Sequence, residues 1–392
     1  MTKMLHKAKP REQNGRDSYE RYRLQVKSAS IAALSILETT DVDRIYCDLH
    51  DDFVQRRKDS DGFFKYDFYQ VKTKKKQNSN WTLLDVFGIK ARGTENSQCH
   101  QKIKDSFIGK LLLHTMIFDD SCNEIVFQTN VNIDDNIECL LKDIKQMSFT
   151  NKYTQYLLNK FNLFFPEHED LSLNIIKEKL SKIRFETDVQ YLKSGKDNFE
   201  PIVRSKIYNF SEIDLSYIET KQIILKLLEI VDEKSSGVIS EYNFENIEEE
   251  SAISLKDLLS VLSISNDAFL ALQKGGDPKA IKSASIIQRT LESSGGGRDE
   301  IEFCSRCKTE WDTWVRNNRH MISEMDLMTI TEYIRDIIKE SRDNNGGNIK
   351  ISSLRKSIKT LLIKLKDEEL IYDLNETYIL GGIFSEVVKG KS

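Results

Sequence analysis

The stretch from Arg44 to Lys76 limits most strongly how this chain can fold. It contains two runs rich in isoleucine, tyrosine, phenylalanine and valine, separated by the turn-prone segment 58–62, Lys-Asp-Ser-Asp-Gly. This pattern is typical of a β-hairpin. If the strands pair antiparallel about a five-residue turn, the numbers of opposed residues sum to about 120, which places Asp52 opposite Phe68.

Side chains alternate between the two faces of a strand, so this register gathers several polar residues on one face of the hairpin. Carboxylates, an amide and an amine are poor material for a hydrophobic core. They suit a binding or catalytic face. The polar side chains expected on that face are Asp48, His50, Asp52, Gln70 and Lys72.

An acidic residue on one strand and a Gln-x-Lys end on the next have a chemical use together. Oxygen ligands from Asp52 and Gln70 can converge on a divalent cation, for which Mg²⁺ is the natural choice. The amine of Lys72 then lies where an attacking water or a phosphate oxygen would be. Such a group of residues is suited to hydrolysis of a phosphodiester. The alternative is an ordinary exposed face whose charges are only solvated.

The neutral Gln70 leaves this metal site one negative charge short, because its amide offers a single carbonyl oxygen. A further carboxylate should compensate. The sequence does not choose among the three candidates, which are Asp51, Asp48 and Glu20.

A basic run, Thr73-Lys74-Lys75-Lys76, follows directly behind the predicted metal site. Lys74, Lys75 and Lys76 are predicted to hold a phosphate backbone, although a solvated loop is the alternative. Trp81 further along either stacks against DNA or, as we expect of a large aromatic residue, packs in the core.

Composition and charge limit the class of protein to which the chain can belong. The chain has 392 residues with 39% hydrophobic content, enough for two or more domains. The net charge of -4 argues against a nucleic-acid binder as a whole, but the first third carries more basic than acidic residues. Six cysteines without a framework spacing, and no signal peptide or apolar span, predict a cytoplasmic protein with reduced thiols and no membrane contact. Cys304 and Cys307 form a lone CxxC pair, read either as incidental thiols on a helix or as half of a zinc site with His320.

The elements around the hairpin predict an α/β fold. Apolar residues at helical spacing follow Ser18, the segment His100 to Phe118 is typical of an amphipathic helix, and Asn123 to Ile133 is typical of a buried strand. Helix, hairpin, helix and strand make a mixed sheet flanked by helices. Helical patterns dominate afterwards. We predict a nuclease core over residues 1–135, a helical extension over 136–210 and a mainly α-helical module for partner binding or oligomerisation over 211–392.

The first third resembles a known family. Asp52 and the words Gln70-Val71-Lys72-Thr73 and Asn80-Trp81-Thr82-Leu83 are similar to the PD-(D/E)XK nucleases, and more closely to the endonuclease domains of bacterial anti-phage effectors of the CBASS and Lamassu kinds. The resemblance implies a restriction-endonuclease-like fold and Mg²⁺-dependent cleavage of double-stranded DNA. It also implies a polar residue from the first helix at the site, for which Gln25 is the choice by resemblance and Glu20 the choice by charge.

The end of the chain, from Asn375 to Phe384, resembles the docking module of ABC-three-component defence systems. That resemblance implies an SMC-like ATPase and an accessory subunit as partners, with oligomerisation on activation. Gly381 and Gly382 suit close helix packing equally well. A SAVED domain, which would sense a cyclic oligonucleotide, is disfavoured because the repeated strand pattern it requires is absent from the second half. The alternatives to a nuclease are a degenerate DNA-binding adaptor, which Gln70 allows, and a purely structural adaptor.

Overall fold

The computed structural model describes residues 14–38, 41–76, 78–94, 97–193, 198–212 and 215–390. The chain forms two compact units, and each is considered by itself. The first comprises Met1–Lys206 with Tyr217–Leu258, and the second comprises Ile207–Ser216 with Leu259–Ser392.

The first unit is built on a six-stranded mixed sheet. Its strands in spatial order are β5-β4-β3-β2-β1-β6. Strands β2 and β3 pair antiparallel, as do β1 with β2 and β1 with β6, whereas β3, β4 and β5 run parallel to one another. The strands are β1 (Val42–Cys47), β2 (Phe53–Lys58), β3 (Phe64–Lys72), β4 (Cys122–Thr129), β5 (Ile183–Glu186) and β6 (Ala252–Ile253).

Helices connect and cover these strands. Helical segments fill both parallel crossovers, from β3 to β4 and from β4 to β5, as parallel strands require. The helices up to the end of this unit are α1 (Asn14–Ala33), α2 (Leu83–Phe87), α3 (His100–Lys104), α4 (Phe107–Ile117), α5 (Asp135–Lys145), α6 (Lys152–Phe164), α7 (Leu173–Ser181), α8 (Phe199–Ser211), α9 (Tyr217–Ser236) and α10 (Phe244–Ser251).

The two faces of the sheet are covered by different helices. Val54, Phe68 and Phe127 share one core with Leu111 of α4. Helix α1 lies against the other face, where Ser28 donates a buried hydrogen bond to Gln128 of β4. The first helix and the first crossover therefore enclose the sheet between them.

The predicted helix from His100 to Phe118 is two helices. Ser106 caps the start of α4, since its Oγ accepts the Gly109 N–H at 3.0 Å. Gly109 packs against the last carbonyl groups of α3, where a side chain would collide with the backbone of Ile103 and Lys104. A cap and a close helix contact interrupt the apolar pattern, which by itself does not show the break.

The long first strand predicted for the hairpin is also divided. Residues 48–52 form a tight connection between β1 and β2, in which Asp48 and His50 have φ values of 48° and 64°. The left-handed conformation is incompatible with a continuous strand. The turn before β3 is as predicted, but Phe53 pairs with Tyr69 and Val54 with Phe68, so opposed numbers sum to 122.

The segment Tyr217–Leu258 lies beyond the predicted boundary at Ser211 and belongs to the sheet unit. It carries β6, which pairs with β1. Glu248 of α10 secures the segment further, since its carboxylate accepts hydrogen bonds from Arg44 at 2.7 Å and from Arg56 at 2.9 Å.

The described residues of the second unit form helices joined by turns and loops, with no strand among them. The helices Arg298–Asn318 and Glu376–Lys389 pack tightly, because Gly381 lies against the backbone of Cys307, where a side chain would collide, and Gly382 lies against Ile334 and Trp311. The two glycines therefore serve helix packing. The helices that end the chain are α11 (Leu255–Val261), which begins in the first unit, α12 (Asn266–Lys274), α13 (Ala280–Glu292), α14 (Arg298–Asn318), α15 (Glu324–Asn344), α16 (Ile351–Asp367) and α17 (Glu376–Lys389).

The CxxC pair lies in the interior of this helical unit. Cys304 and Cys307 are both buried on α14, whereas His320 is exposed beyond the end of that helix. The arrangement fits the interpretation of two thiols within a packed helix.

Within the part of the chain that the structure describes, none of the helices combines the length and apolar character needed to cross a bilayer.

Candidate active site

The candidate site forms where the start of β2 meets the end of β3. Phe53 pairs with Tyr69, so Asp52, one residue before β2, lies beside Gln70 near the end of β3. Lys72 is the last residue of β3 and shares a face with Gln70 by the alternation of strand side chains. The pairing of two neighbouring strands thus brings an acid, an amide and an amine together.

Asp52 is held by three hydrogen-bond donors from different parts of the first unit. Its Oδ1 accepts a hydrogen bond from Gln25 Nε2 of α1 at 2.6 Å. Its Oδ2 accepts from the Val71 N–H at 2.6 Å and from Lys72 Nζ at 3.0 Å. The carboxylate is therefore fixed in position by a helix, a strand backbone and a cation at once.

The surroundings of Asp52 oppose its ionisation in part. Its side chain is only 13% exposed, and burial raises the pKa of Asp52 above the ordinary value for aspartate. The charge of Lys72 and the hydrogen bond from Val71 lower that pKa and offset part of the rise. Lys72 Nζ also lies 5.8 Å from the ring centroid of Phe107, so the amine lies between a carboxylate and an aromatic ring.

Gln70 carries an unused acceptor in this setting. Its Oε1 is buried and has no hydrogen-bond partner among the described residues. An orphaned buried oxygen usually marks a ligand, an ion or a water. A carboxylate has about four acceptor sites, and the three donors on Asp52 leave room for one more contact. Amide and carboxylate oxygens are the ligands that Mg²⁺ prefers, so the donor set fits such a cation.

Among the described residues, no group of three or more histidine, cysteine, aspartate or glutamate side chains is arranged to hold a metal.

Asp51, the other predicted metal ligand, is directed into the protein. Its Oδ1 accepts the Asp52 N–H at 3.1 Å, and its Oδ2 lies 3.1 Å from Nε2 of His114 on α4. An ionised carboxylate can only accept, so this contact is a hydrogen bond in the tautomer of His114 that carries its hydrogen on Nε2. The imidazole stacks on Phe68, with ring centroids 4.3 Å apart. Asp51 thus links the backbone of Asp52 to helix α4.

His50 completes this group of aromatic and acidic residues. Its ring lies edge-on to Phe118 at 5.1 Å and 6.4 Å from the ring of His114. Burial lowers the pKa of His50, the nearby His114 lowers it further, and Asp51 opposes both effects. His114 was missed from the sequence because it lies 63 residues from Asp51 on a helix whose pattern indicates only core packing.

The structure separates the two residues considered from the first helix. Gln25 contacts Asp52, whereas Glu20 is exposed and lies across a cleft from residues 73–76. Asp48 is exposed in the β1–β2 connection, and burial together with the nearby charge of Asp51 raises the pKa of Asp48.

The lysines behind the site differ in their surroundings. Lys74 Nζ donates to Asp85 Oδ2 at 3.0 Å and to the carbonyl of Asn80 at 2.9 Å, and it lies 4.3 Å from the ring centroid of Trp81. Lys75 and Lys76 are exposed. Trp81 is buried and donates to Thr129 Oγ1 at 2.7 Å, which confirms its core role.

A comparison with known families supplies the wider context. The family model of the Cap4 dsDNA endonuclease domain matches residues 13–235, more than half of the 392-residue chain. The chain belongs to this family. All the candidate residues from Glu20 to Lys76 lie inside the region matched to the Cap4 model, whereas β6 and Glu248 lie beyond its end.

The solved structures similar to the chain include Cap4 receptors. The Acinetobacter baumannii Cap4 SAVED/CARF-domain containing receptor is 12% identical, with a TM-score of 0.38 over 75% of this chain and 60% of that one. The chain thus spans about 60% of the length of that receptor. The Moraxella osloensis Cap4 SAVED/CARF-domain containing receptor is 9% identical, with a TM-score of 0.34 over 74% of this chain and 67% of that one. No curated protein matches the chain.

Proposed function

We propose that this chain is a metal-dependent endonuclease of the PD-(D/E)XK type that cuts double-stranded DNA as an effector of anti-phage defence. The observation that carries the proposal is the arrangement of Asp52, which accepts hydrogen bonds from Gln25, Val71 and Lys72 beside the unpartnered oxygen of Gln70. Membership of the Cap4 endonuclease family supports the choice of DNA as the substrate.

Asp52 and Gln70 would hold the divalent cation, with Mg²⁺ as the proposed ion. When bound, such a cation stabilises the negative charge that grows on the phosphate and lowers the pKa of its water. The protein groups do the rest. Gln25 and the Val71 N–H fix the Asp52 carboxylate in one orientation, which preserves the geometry that the reaction needs.

Lys72 acts on the substrate itself in this proposal. Its amine lies at the open end of the site, 25% exposed, and is held by Asp52 at 3.0 Å. From there it can donate to a non-bridging phosphate oxygen or orient the attacking water. A fixed cation stabilises charge that develops only in the transition state, so it accelerates the reaction rather than merely tightening binding.

Control of the nuclease belongs to the same proposal. An unrestrained enzyme of this kind would cut host DNA, so activity should depend on a partner or on self-assembly. The helical second unit is the proposed place for that control, through an SMC-like ATPase with its accessory subunit or through oligomerisation.

The test is cleavage of supercoiled plasmid by the purified chain, alone and with the products of neighbouring genes. We expect nicking or linearisation with Mg²⁺, no cleavage with EDTA, and no cleavage by Asp52→Asn under any condition. Asp52→Asn should melt as a folded protein. Normal cleavage by that variant would overturn the assignment of the site.

A second candidate is favoured by one observation, the neutral Gln70 in place of an acidic residue. A DNA-binding adaptor without catalytic activity would retain the fold and bind duplex without cutting it. Binding that is equal with Mg²⁺ and EDTA, with intact plasmid in every combination of partners, would establish this function instead.

A further inference from the structure

A charged cleft lies beside the candidate site, between helix α1 and the loop that follows β3. It has a volume of about 330 Å³. One wall consists of Glu20, Arg21 and Leu24, and the other consists of residues 73–76 together with Ser79.

The two walls continue the elements that hold Asp52. Arg21 precedes Gln25 by four residues, which places the two side chains about one turn apart on the same side of α1. The other wall starts at Thr73, directly after Lys72. The cleft is therefore the extension of the candidate site along the surface, bounded by the same helix and the same strand end.

The charges of the lining residues are mostly positive. Arg21, Lys75 and Lys76 are exposed. The fourth cation, Lys74, has its charge balanced by Asp85 in a salt bridge of 3.0 Å. Glu20 is the single acidic side chain among the lining residues. A concave surface with cations on both walls is suited to an anion that passes between them.

We propose that this cleft seats the phosphate backbone of duplex DNA next to the candidate site, with Arg21 and Lys76 as its cationic contacts from opposite walls. The proposal rests on the proposed function only in taking DNA as the substrate. Helix α1 then has two tasks, since Gln25 orients Asp52 while Arg21 positions the strand one turn away. Glu20 opposes the phosphate and weakens binding, which keeps affinity for DNA low outside the active assembly.

The test is binding of a fluorescently labelled duplex to the full chain in EDTA, where metal-dependent cleavage cannot occur. Arg21→Ala should weaken binding about tenfold, and the slope of log affinity against log salt should become shallower by about one unit. Lys76→Ala should act in the same direction. Glu20→Gln should tighten binding, because it removes a negative charge from the cleft without changing the size of the side chain.

Arg23→Ala is the matched control. Arg23 is also an exposed arginine of α1, but it lies two residues from Arg21, away from the lining of the cleft. This variant should bind DNA with nearly the affinity of the wild type. Circular dichroism of each variant establishes that α1 is intact.

The outcomes separate the two proposals. Equal binding by Arg21→Ala and Arg23→Ala overturns the cleft, even if Asp52→Asn shows that the nuclease assignment is right. Weakened binding by Arg21→Ala, with no Mg²⁺-dependent cleavage by the wild-type chain in any combination with the products of neighbouring genes, supports the cleft and overturns the nuclease. Absence of duplex binding by the wild-type chain, both alone and together with the products of neighbouring genes, overturns both.

Discussion

Two aspartates of the first unit, Asp67 and Asp52, differ in their surroundings. Asp67 of β3 is completely buried, and its carboxylate accepts hydrogen bonds from Arg57 at 2.6 Å and from Asn123 at 2.7 Å. Asp52 lies one residue before β2, beside the other end of β3. Its side chain is 13% exposed, and Lys72 Nζ lies 3.0 Å from its carboxylate. Burial raises the pKa of both carboxyl groups, and hydrogen bonds or a nearby cation offset the rise in both.

What separates them is the state of the neighbouring polar groups. The carboxylate of Asp67 is fully buried and its oxygens accept from Arg57 and Asn123, whereas the side chain of Arg57 itself is 29% exposed. Beside Asp52 the Oε1 of Gln70 is buried and has no partner among the residues described. In a structural ion pair the charged groups satisfy one another, whereas a binding site keeps an acceptor free for a ligand.

The largest expected effect concerns Lys72. Lys72→Met should lower the rate of DNA cleavage by about 10²–10³-fold, because a donor aimed at the reacting phosphate is lost. The rate constant is measured on plasmid under activating conditions, and thermal melting checks the fold. A variant that cuts at the wild-type rate would remove the distinction between the two aspartates.

The matched change at the pair of Arg57 and Asp67 is Arg57→Met. It should lower the free energy of unfolding by about 3 kcal/mol, since the fully buried Asp67 loses its cation. Denaturant titration measures the loss. Cleavage per folded molecule should be unaffected, and a specific loss of catalysis would show that Asp67 also belongs to the site.

A smaller effect is expected when Gln70 is given a charge. Gln70→Glu should lower the Mg²⁺ concentration for half-maximal cleavage by about tenfold, because metal affinity rises with the charge of the ligands. Gln70→Leu, which has no oxygen, should raise that concentration. If both variants require the same Mg²⁺ as the wild type, Gln70 does not contact the cation.

The smallest expected effect is a pH dependence of stability. Burial raises the pKa of Asp52 in the folded chain above its unfolded value, so its protonated form favours folding. This stabilising contribution is complete below the unfolded pKa and is lost as pH rises through the folded pKa. Asp52→Asn should therefore gain stability relative to the wild type as pH rises across that window. Chemical denaturation at a series of pH values measures the difference, and a gap that stays constant would contradict the assigned shift.

Much of the site's geometry could be predicted from the hairpin alone. The predicted register was wrong by two in the sum of opposed numbers, but Asp52, Gln70 and Lys72 still share a neighbourhood. A slip of one residue moves a side chain to the other face of a sheet, whereas a change of two keeps the face. The alternation of strand side chains therefore preserved the prediction despite the wrong pairs.

Other features were beyond the reach of local patterns. The sequence around Asp48 and His50 alternates as in a strand, yet both residues have positive φ values and lie in the connection between β1 and β2. The contact of His114 with Asp51 and the salt bridge of Lys74 with Asp85 depend on how distant helices pack. Gln25 was chosen by family resemblance, and nothing in its own segment distinguishes it from Glu20.

Strand β6 has a consequence for the folding of this protein. Strand β6 and the carboxylate that links Arg44 to Arg56 lie after residue 235, where the match to the endonuclease family ends. A chain that ends at residue 235 therefore lacks the strand that pairs with β1. The edge of β1 is then unpaired and can pair with a strand of another chain. The pairing of β1 is complete only when Ile253 is present. A fragment that ends at residue 235 should therefore aggregate and be unstable, whereas a fragment that extends to Leu258 should fold independently.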